Sequence, residues 1–141
     1  MKKRTPALAM TIAIAIAIAT PAHAQSLDGF GRHLAELINR YRADHGLPPL
    51  VVTDDLATLA AEHSVEMATR RELTHEGFYD RFTRTRSRIC VENVGRNYPT
   101  AEALLTGWRL SPEHDRNLLE PKVARMGIAA DARYVTFFAC L

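Results

Sequence analysis

The motifs of several common enzyme and metal-binding classes are absent from this sequence. Its one His-Glu pair, His75-Glu76, is followed by Phe78 and Tyr79, so the second histidine of an HExxH metalloprotease motif is missing. The chain also has no CxxC pair, no GxSxG motif and no glycine-rich phosphate loop. These absences argue against a zinc finger, an α/β-hydrolase and a P-loop enzyme.

The N-terminus has the layout of a secretory signal peptide. Basic residues at positions 2–4 precede an apolar run over residues 7–19, and small residues follow at Ala22 and Ala24. We predict a signal peptide over residues 1–24, cleaved after Ala24, and therefore a periplasmic or extracellular protein. An uncleaved membrane anchor is the alternative, but the apolar run is shorter than the roughly 20 residues that a membrane span needs.

The remaining residues, 25–141, are enough for one compact domain and too few for two. Removal of the basic signal peptide turns the formal net charge of +2 slightly negative, which argues against a nucleic-acid partner. We expect a single-domain monomer without a transmembrane anchor after cleavage.

Cysteine is scarce, since Cys90 and Cys140 are the only two in the sequence. In an exported protein two cysteines favour one disulfide. In the loop-entropy description such a bond would contribute roughly 3–4 kcal/mol to stability. Two buried free thiols are the alternative.

Hydrophobic periodicity predicts two helices in the first half of the domain. The first covers residues 27–44 and is ended by Gly46 and two prolines. Thr53 is placed to cap the second. The apolar stripe of this second helix consists of Leu56, Leu59, Ala60, His63 and Met67. Because one histidine on an apolar face is more often a core residue than a ligand, we leave His63 out of the candidate site.

The region after the second helix is polar and rich in arginine. It predicts one helical turn around residues 78–82, followed by Arg84, Arg86 and Arg88 alternating with small polar residues. An anion site would fit this spacing, but a solvated loop or edge strand is the simpler interpretation.

Strand-like alternation begins in RICVENVG, where Ile89 and Val91 are expected on one face and Cys90, Glu92 and Val94 on the other. Farther on, MGIAA and YVTFFACL predict an antiparallel hairpin. Helices that come first and strands that cluster later indicate an α+β fold.

Two helices are predicted between these strands. Thr100 is placed to cap one of them, and Ser111, with Pro112 at the first helical position, is placed to cap a short one over SPEHDRNLL. This capping role would account for the hydroxyl of Ser111.

Three polar residues at structural junctions are candidates for chemistry: His75, Glu92 and His114. A carboxylate between apolar strand residues must reach solvent or find a partner, because burying it alone is costly, and the two histidines could supply that partner. The helix dipole favours neutral His114, the form that binds metal or accepts a proton. Scattered surface histidines and a solvent-facing glutamate are the alternative.

The order of these motifs resembles the CAP superfamily, which includes cysteine-rich secretory proteins, venom allergens and plant pathogenesis-related proteins, and in particular its short bacterial SCP-like branch. The matching stretches are LINRYRADHGLPPLVVTDDLATLAAEHSVEMA, the THEG histidine, ENVG, W-x-x-S-P-x-H followed by NLL, and the MGIAA and YVTFFACL strands. They extend over nearly all of residues 25–141. The resemblance implies a three-layer α-β-α sandwich with a central antiparallel sheet.

The resemblance also implies a cleft lined, in many members, by two histidines and two glutamates. His75, Glu92 and His114 match three of these positions, with Ser111 and Asn93 as supporting residues of the cleft. The second glutamate is missing near Ser111, where bacterial members often have serine. Three ligands and a water would still make an open zinc site. The family pattern further implies that the two cysteines join the strand that enters the cleft to the last strand.

Two functions follow as hypotheses. The first is a non-enzymatic binding module for a cell-envelope component, lipid or protein partner, because such roles recur in the family. The alternative is a hydrolase in which zinc on His75, Glu92 and His114 activates a water molecule. A structural envelope protein with a vestigial cleft is a third possibility. A metal-free hydrolase using Ser111 is disfavoured, because capping already accounts for its hydroxyl.

Overall fold

The computed structural model describes residues 29–141, so the predicted signal peptide and the first residues of the predicted first helix lie outside the described part. The elements in chain order are α1 (Gly29–Asp44), β1 (Val51–Val52), α2 (Asp54–Arg70), α3 (Phe78–Thr85), β2 (Cys90–Arg96), α4 (Ala101–Arg109), α5 (Pro112–Leu118), β3 (Arg125–Asp131) and β4 (Tyr134–Cys140). None of these helices combines the length and the apolar character that crossing a bilayer requires.

A four-stranded sheet forms the middle layer, in the order β1-β3-β4-β2. β3 and β4 form the predicted antiparallel hairpin, with Asp131 opposite Tyr134, and β2 pairs antiparallel with β4. β1 is absent from our predicted elements and runs parallel to β3 at the edge. Two exposed residues give no periodicity by which to recognise a strand.

Helices cover both faces of the sheet, which confirms the three-layer α-β-α architecture. β4 is buried along its whole length, and its side chains alternate between the faces. Phe137 and Ala139 belong to the core beneath α1 and α4. Phe138 and Cys140 pack instead against the apolar stripe of α2.

The core beneath α1 and α4 contains Trp108, which is 2% exposed. Its indole Nε1 donates a hydrogen bond to the backbone carbonyl of Val94 at 3.0 Å, so the ring has a polar partner as well as apolar neighbours. Thr100 caps α4 as predicted, because its hydroxyl accepts a hydrogen bond from the backbone N–H of Ala103 at 3.1 Å.

α2 approaches β3 closely because Gly127 has no side chain. A Cβ atom at Gly127 would lie 2.0 Å from the backbone carbonyl carbon of Leu56, which no packing adjustment of a side chain could relieve. Farther along α2, the hydroxyl of Ser64 lies 3.0 Å from the carbonyl oxygen of Ala129 and 2.9 Å from the hydroxyl of Thr136. These contacts hold the polar part of α2, which includes the neighbouring His63, against the sheet.

Cys90 and Cys140 face each other at the ends of β2 and β4 and form the predicted disulfide, with their Cα atoms 4.1 Å apart. The alternative of two free thiols is therefore wrong. The bond fixes β2 to the central strand two residues before Glu92.

Candidate functional site

Glu92 lies in the middle of β2 on the face toward α2, as the alternation predicts. Its side chain is only 1% exposed, so it needs partners for its charge. The main partner is Arg81, whose Nε donates to Oε2 at 2.8 Å and whose Nη2 donates to Oε1 at 2.9 Å. This two-pronged geometry is the strongest form of the arginine–carboxylate pair.

Arg81 belongs to α3, which is longer than the single turn that its sequence predicts. Phe78 packs edge-on against Phe138 of the sheet and fixes α3 at its first residue. Arg81, three residues later, therefore enters the same interface. Arg84 is also helical and pairs with Glu62 of α2 at 2.6 Å, so the interpretation as a loop or edge strand is wrong at this residue.

His75 lies in the loop between α2 and α3, and its Nδ1 is 2.9 Å from Oε1 of Glu92. Contacts on both sides hold this loop: His63 Nε2 lies 2.8 Å from the carbonyl oxygen of Thr74, and Arg81 Nη1 donates to the carbonyl of Glu76 at 3.0 Å. The His75 ring is nevertheless 51% exposed. One edge of the ring is therefore bound to the buried carboxylate and the rest is accessible to a ligand.

His63 is also part of this cluster, although we leave it out of the candidate site on the strength of its sequence. Its fully buried ring places Nε2 3.7 Å from Oε1 of Glu92. Its Nδ1 has no hydrogen-bond partner within the described residues, and the nearest carboxylate oxygen is that of Glu66 at 3.6 Å. A histidine on an apolar stripe looks the same in sequence whether it packs in a core or meets a buried charge, so no sequence signal separates the two cases.

His114 approaches the cluster from α5, at the edge of the sheet. Burial, and then the nearby charge of His75, lower the pKa of His114 below its ordinary value of 6.5, while Glu113 acts in the opposite direction. The neutral form predicted for His114 is favoured by these two effects, in addition to the helix dipole.

Two asparagines attach α5 to β2. Asn93 points away from Glu92 on the strand and donates to the backbone carbonyl of His114 at 3.0 Å. Asn117 donates to the backbone carbonyl of Glu92 at 3.0 Å and to Oδ1 of Asn93 at 2.9 Å. Asn93 thus positions His114 through the helix backbone.

Ser111 occupies the N-cap position of α5, one turn before His114. Its backbone carbonyl accepts the N–H of Asp115 at 2.9 Å, but its hydroxyl makes no capping hydrogen bond. The capping explanation for this hydroxyl is therefore wrong.

The arrangement does not fit a zinc ion held by His75, Glu92 and His114. Both oxygens of Glu92 already accept hydrogen bonds from the Arg81 guanidinium, so a divalent ion there would lie against a buried positive charge. Over residues 29–141 no group of three His, Cys, Asp or Glu side chains is arranged to hold a metal ion. The candidate site therefore consists of a buried carboxylate paired with Arg81, the half-exposed His75 bound to that carboxylate, and His114 on the neighbouring helix α5.

Comparison with known proteins identifies relatives for most of the chain. Residues 35–140 match the sequence profile described as the cysteine-rich secretory protein family, CAP. The chain is 24% identical over 110 residues to YkwD of Bacillus subtilis, covering 73% of this chain and 43% of YkwD. It is 25% identical over 114 residues to the membrane protein YlbC of the same organism, covering 74% of this chain and 32% of YlbC. The chain thus spans less than half the length of either relative.

Solved structures share the fold. An extracellular protein of Bacillus anthracis that contains an SCP domain superposes with a TM-score of 0.76 at 25% identity, over 89% of this chain and 45% of that one. A cysteine-rich secretory protein of Staphylococcus aureus superposes with a TM-score of 0.74 at 24% identity, over 82% of this chain and 39% of that one. An outer surface protein of Borrelia burgdorferi superposes with a TM-score of 0.72 at 18% identity, over 77% of this chain and 90% of that one.

Proposed function

Because the chain belongs to the cysteine-rich secretory protein (CAP) family, we propose that it is an exported, non-enzymatic binding module. Its ligand would be a component of the cell envelope, a lipid or a protein partner, held in the cleft between His75 and His114. The signal-peptide layout of residues 1–24 supports export. The extracellular and outer-surface relatives support it as well.

We propose binding without catalysis because both carboxylate oxygens of Glu92 already accept hydrogen bonds from other side chains. A general base or nucleophile must offer a lone pair to the substrate or its proton. Here Arg81 engages both carboxylate oxygens and His75 engages one of them, and the side chain is almost completely buried. The carboxylate therefore serves to orient His75, and the exposed ring of His75 is what a ligand meets.

The hydrolase alternative keeps one supporting observation. Burial and the neighbouring His75 lower the pKa of His114, so its imidazole is neutral at pH 7 and able to accept a proton. In this alternative Glu92 is not available to hold zinc, because Arg81 and His75 already engage its carboxylate, and for this reason we favour binding.

A cosedimentation experiment tests the proposal. The purified protein is mixed separately with vesicles of total envelope lipid and with purified cell wall, with EDTA present throughout. We expect retention on one of the two, and a loss of about threefold to tenfold in affinity for each of His75→Ala and His114→Ala, as is typical for one lost hydrogen bond. The matched control is His33→Ala, because His33 pairs with Glu102 of α4 and lies outside the cluster.

Two results would contradict the proposal. One is unchanged retention when both cleft histidines are replaced together. The other is release of a cleavage product from either material that depends on His75 and His114, which would favour the hydrolase.

A further inference from the structure

Helix α5, which carries His114, is too short to fix its own position. It has only seven residues, and an isolated helix shorter than about 12 residues is marginal in water. Contacts with the rest of the molecule must therefore hold His114 in place. Asn93 and Asn117 supply such contacts from the side of β2.

We propose that Tyr41 of α1 is a positioning residue, which holds His114 in the cleft through a hydrogen bond to the adjacent Asp115. The Tyr41 hydroxyl donates this bond to Oδ1 of Asp115 at 2.6 Å. Its functional meaning rests on the proposed function, which assigns the ligand to the cleft between His75 and His114. The effect of the bond on His114 can nevertheless be measured without any ligand.

The ring of Tyr41 is itself held in place. Tyr41 is 9% exposed and belongs to the core beneath α1 and α4. The central guanidinium carbon of Arg109 lies 4.4 Å from the centroid of its ring, and the His45 ring packs edge-on at 4.5 Å. Because these neighbours fix the ring, its hydroxyl has a defined direction, and the bond to Asp115 transmits that direction to α5.

The Tyr41 hydroxyl keeps its proton in the neutral pH range. Burial, and then the hydrogen bond to Asp115, raise the pKa of Tyr41 above its ordinary value of 10.0, while Arg109 acts in the opposite direction. The hydroxyl therefore remains a donor to Asp115 under the conditions in which an exported protein would bind its ligand.

The bond ties His114 to the helical layer opposite the one that holds His75. His75 is bound to Glu92 on the face of the sheet toward α2, and the carbonyl of the preceding Thr74 lies 2.8 Å from the ring of His63 in α2. Tyr41 belongs to α1, on the other face. Loss of its hydroxyl should therefore displace His114 and leave His75 in place.

NMR of the imidazole ring signals tests this difference. Spectra are recorded at about pH 8, where an ordinary histidine is neutral, so that protonation does not contribute. In Tyr41→Phe and in Asp115→Ala we expect the His114 signals to move toward those of a histidine in an unfolded chain, and the His75 signals to stay. Asp115→Asn keeps the acceptor oxygen, so its His114 signals should remain close to those of the parent.

The matched control is Tyr134→Phe. Tyr134 is 5% exposed, and an arginine lies against its ring as well, with the central guanidinium carbon of Arg96 5.8 Å from the centroid. The substitution removes the hydroxyl of a buried tyrosine from β4 and leaves the contact between α1 and α5 intact. The His114 signals should not change.

Affinity supplies the second measurement. On the material that retains the parent, Tyr41→Phe and Asp115→Ala should each weaken binding about threefold to tenfold, as for one lost hydrogen bond. The double variant should lose no more than either single one, because both changes remove the same bond. Losses that multiply in the double variant would overturn the proposal.

Three results in the ring signals would also overturn it: His114 signals that stay unchanged in Tyr41→Phe and Asp115→Ala, His75 signals that move as far, or the same movement in Tyr134→Phe. If Tyr41→Phe does not fold, Asp115→Ala removes the same bond from its other end and replaces it. If neither envelope material retains the parent, the proposed function fails and the ring signals alone decide whether Tyr41 positions His114.

Discussion

Two arginines, Arg42 and Arg81, are buried in different regions of the molecule and are satisfied in different ways. Arg42 of α1 donates only to backbone carbonyls, those of Pro48, Leu118 and Glu120, at 2.8 to 3.1 Å. It thereby joins the end of α1 to the segments before β1 and after α5. Its Nη2 has no hydrogen-bond partner within residues 29–141.

Arg81 instead meets a full opposite charge on Glu92. No carboxylate oxygen contacts Arg42 within residues 29–141, and burial lowers the pKa of Arg42 below its ordinary value, while the charge of Glu120 acts in the opposite direction. The difference teaches that burial of a charge does not by itself indicate a functional site. Arg42 joins backbone segments, whereas the carboxylate of the Arg81 pair also holds a half-exposed histidine, His75.

The largest expected effect comes from breaking the Arg81 pair. Arg81→Met, measured by urea unfolding in EDTA, should lower the free energy of unfolding by about 3–5 kcal/mol, because it leaves a buried carboxylate without its counter-charge. Adding Glu92→Gln should recover a large part of that loss, since the amide carries no charge. A double variant less stable than Arg81→Met would mean that the carboxylate is not the source of the loss.

Arg42→Met should cost less, about 2 kcal/mol, because it removes hydrogen bonds to neutral carbonyls and leaves no unpaired charge. The same urea measurement applies. No second substitution should restore the loss, because the partners are backbone atoms. If Arg42→Met lowered the free energy of unfolding more than Arg81→Met, the buried ion pair would matter less to stability than the hydrogen bonds of Arg42 to backbone carbonyls.

A smaller effect is expected from Arg84→Met, which keeps the helix and removes an exposed ion pair. The side chains of Arg84 and Glu62 are 46% and 48% exposed, so solvent screens their interaction. We expect a change within about 1 kcal/mol. A decrease in the free energy of unfolding as large as that of Arg81→Met would show that losing any arginine from α3 destabilises the protein equally, whether or not it pairs with Glu92.

The smallest expected effect is the dependence of stability on the protonation of His114. Since the pKa of His114 is lower in the folded than in the unfolded protein, its contribution to stability is fully present above about pH 6.5 and is lost as pH falls through the folded-state value. NMR titration of the imidazole signals should therefore give His114 a pKa below 6.5. His75→Ala should raise that pKa by removing a neighbouring charge. An unchanged titration would show that the two rings do not interact.

Hydrophobic periodicity predicts most of the helices and strands, because most of them bury one face and expose the other. The alternation in RICVENVG places Glu92 correctly, and the stripe of α2 is buried as expected. The grouping of His75 and His114 with Glu92 comes from the family resemblance, because the spacing of residues far apart in the chain does not determine their distance.

Arg81 and His63 could not be predicted in this way. Arginine in a polar segment normally keeps its head in water, and only the packing of Phe78 on the sheet turns α3 so that Arg81 enters. His63 meets Glu92 only because α2 lies so close to the strands. Both roles depend on distances between elements, which a local pattern does not contain.

The side-chain hydrogen bonds to β2 have a consequence for how separate chains meet. An unpaired strand edge is a template on which a strand of another molecule can add. On β2 the outward carbonyls of Glu92 and Val94 are already taken by Asn117 and Trp108. An incoming strand would have to displace α5 and the indole from these carbonyls before it could pair there. These two contacts therefore protect the β2 edge against strand addition at Glu92 and Val94.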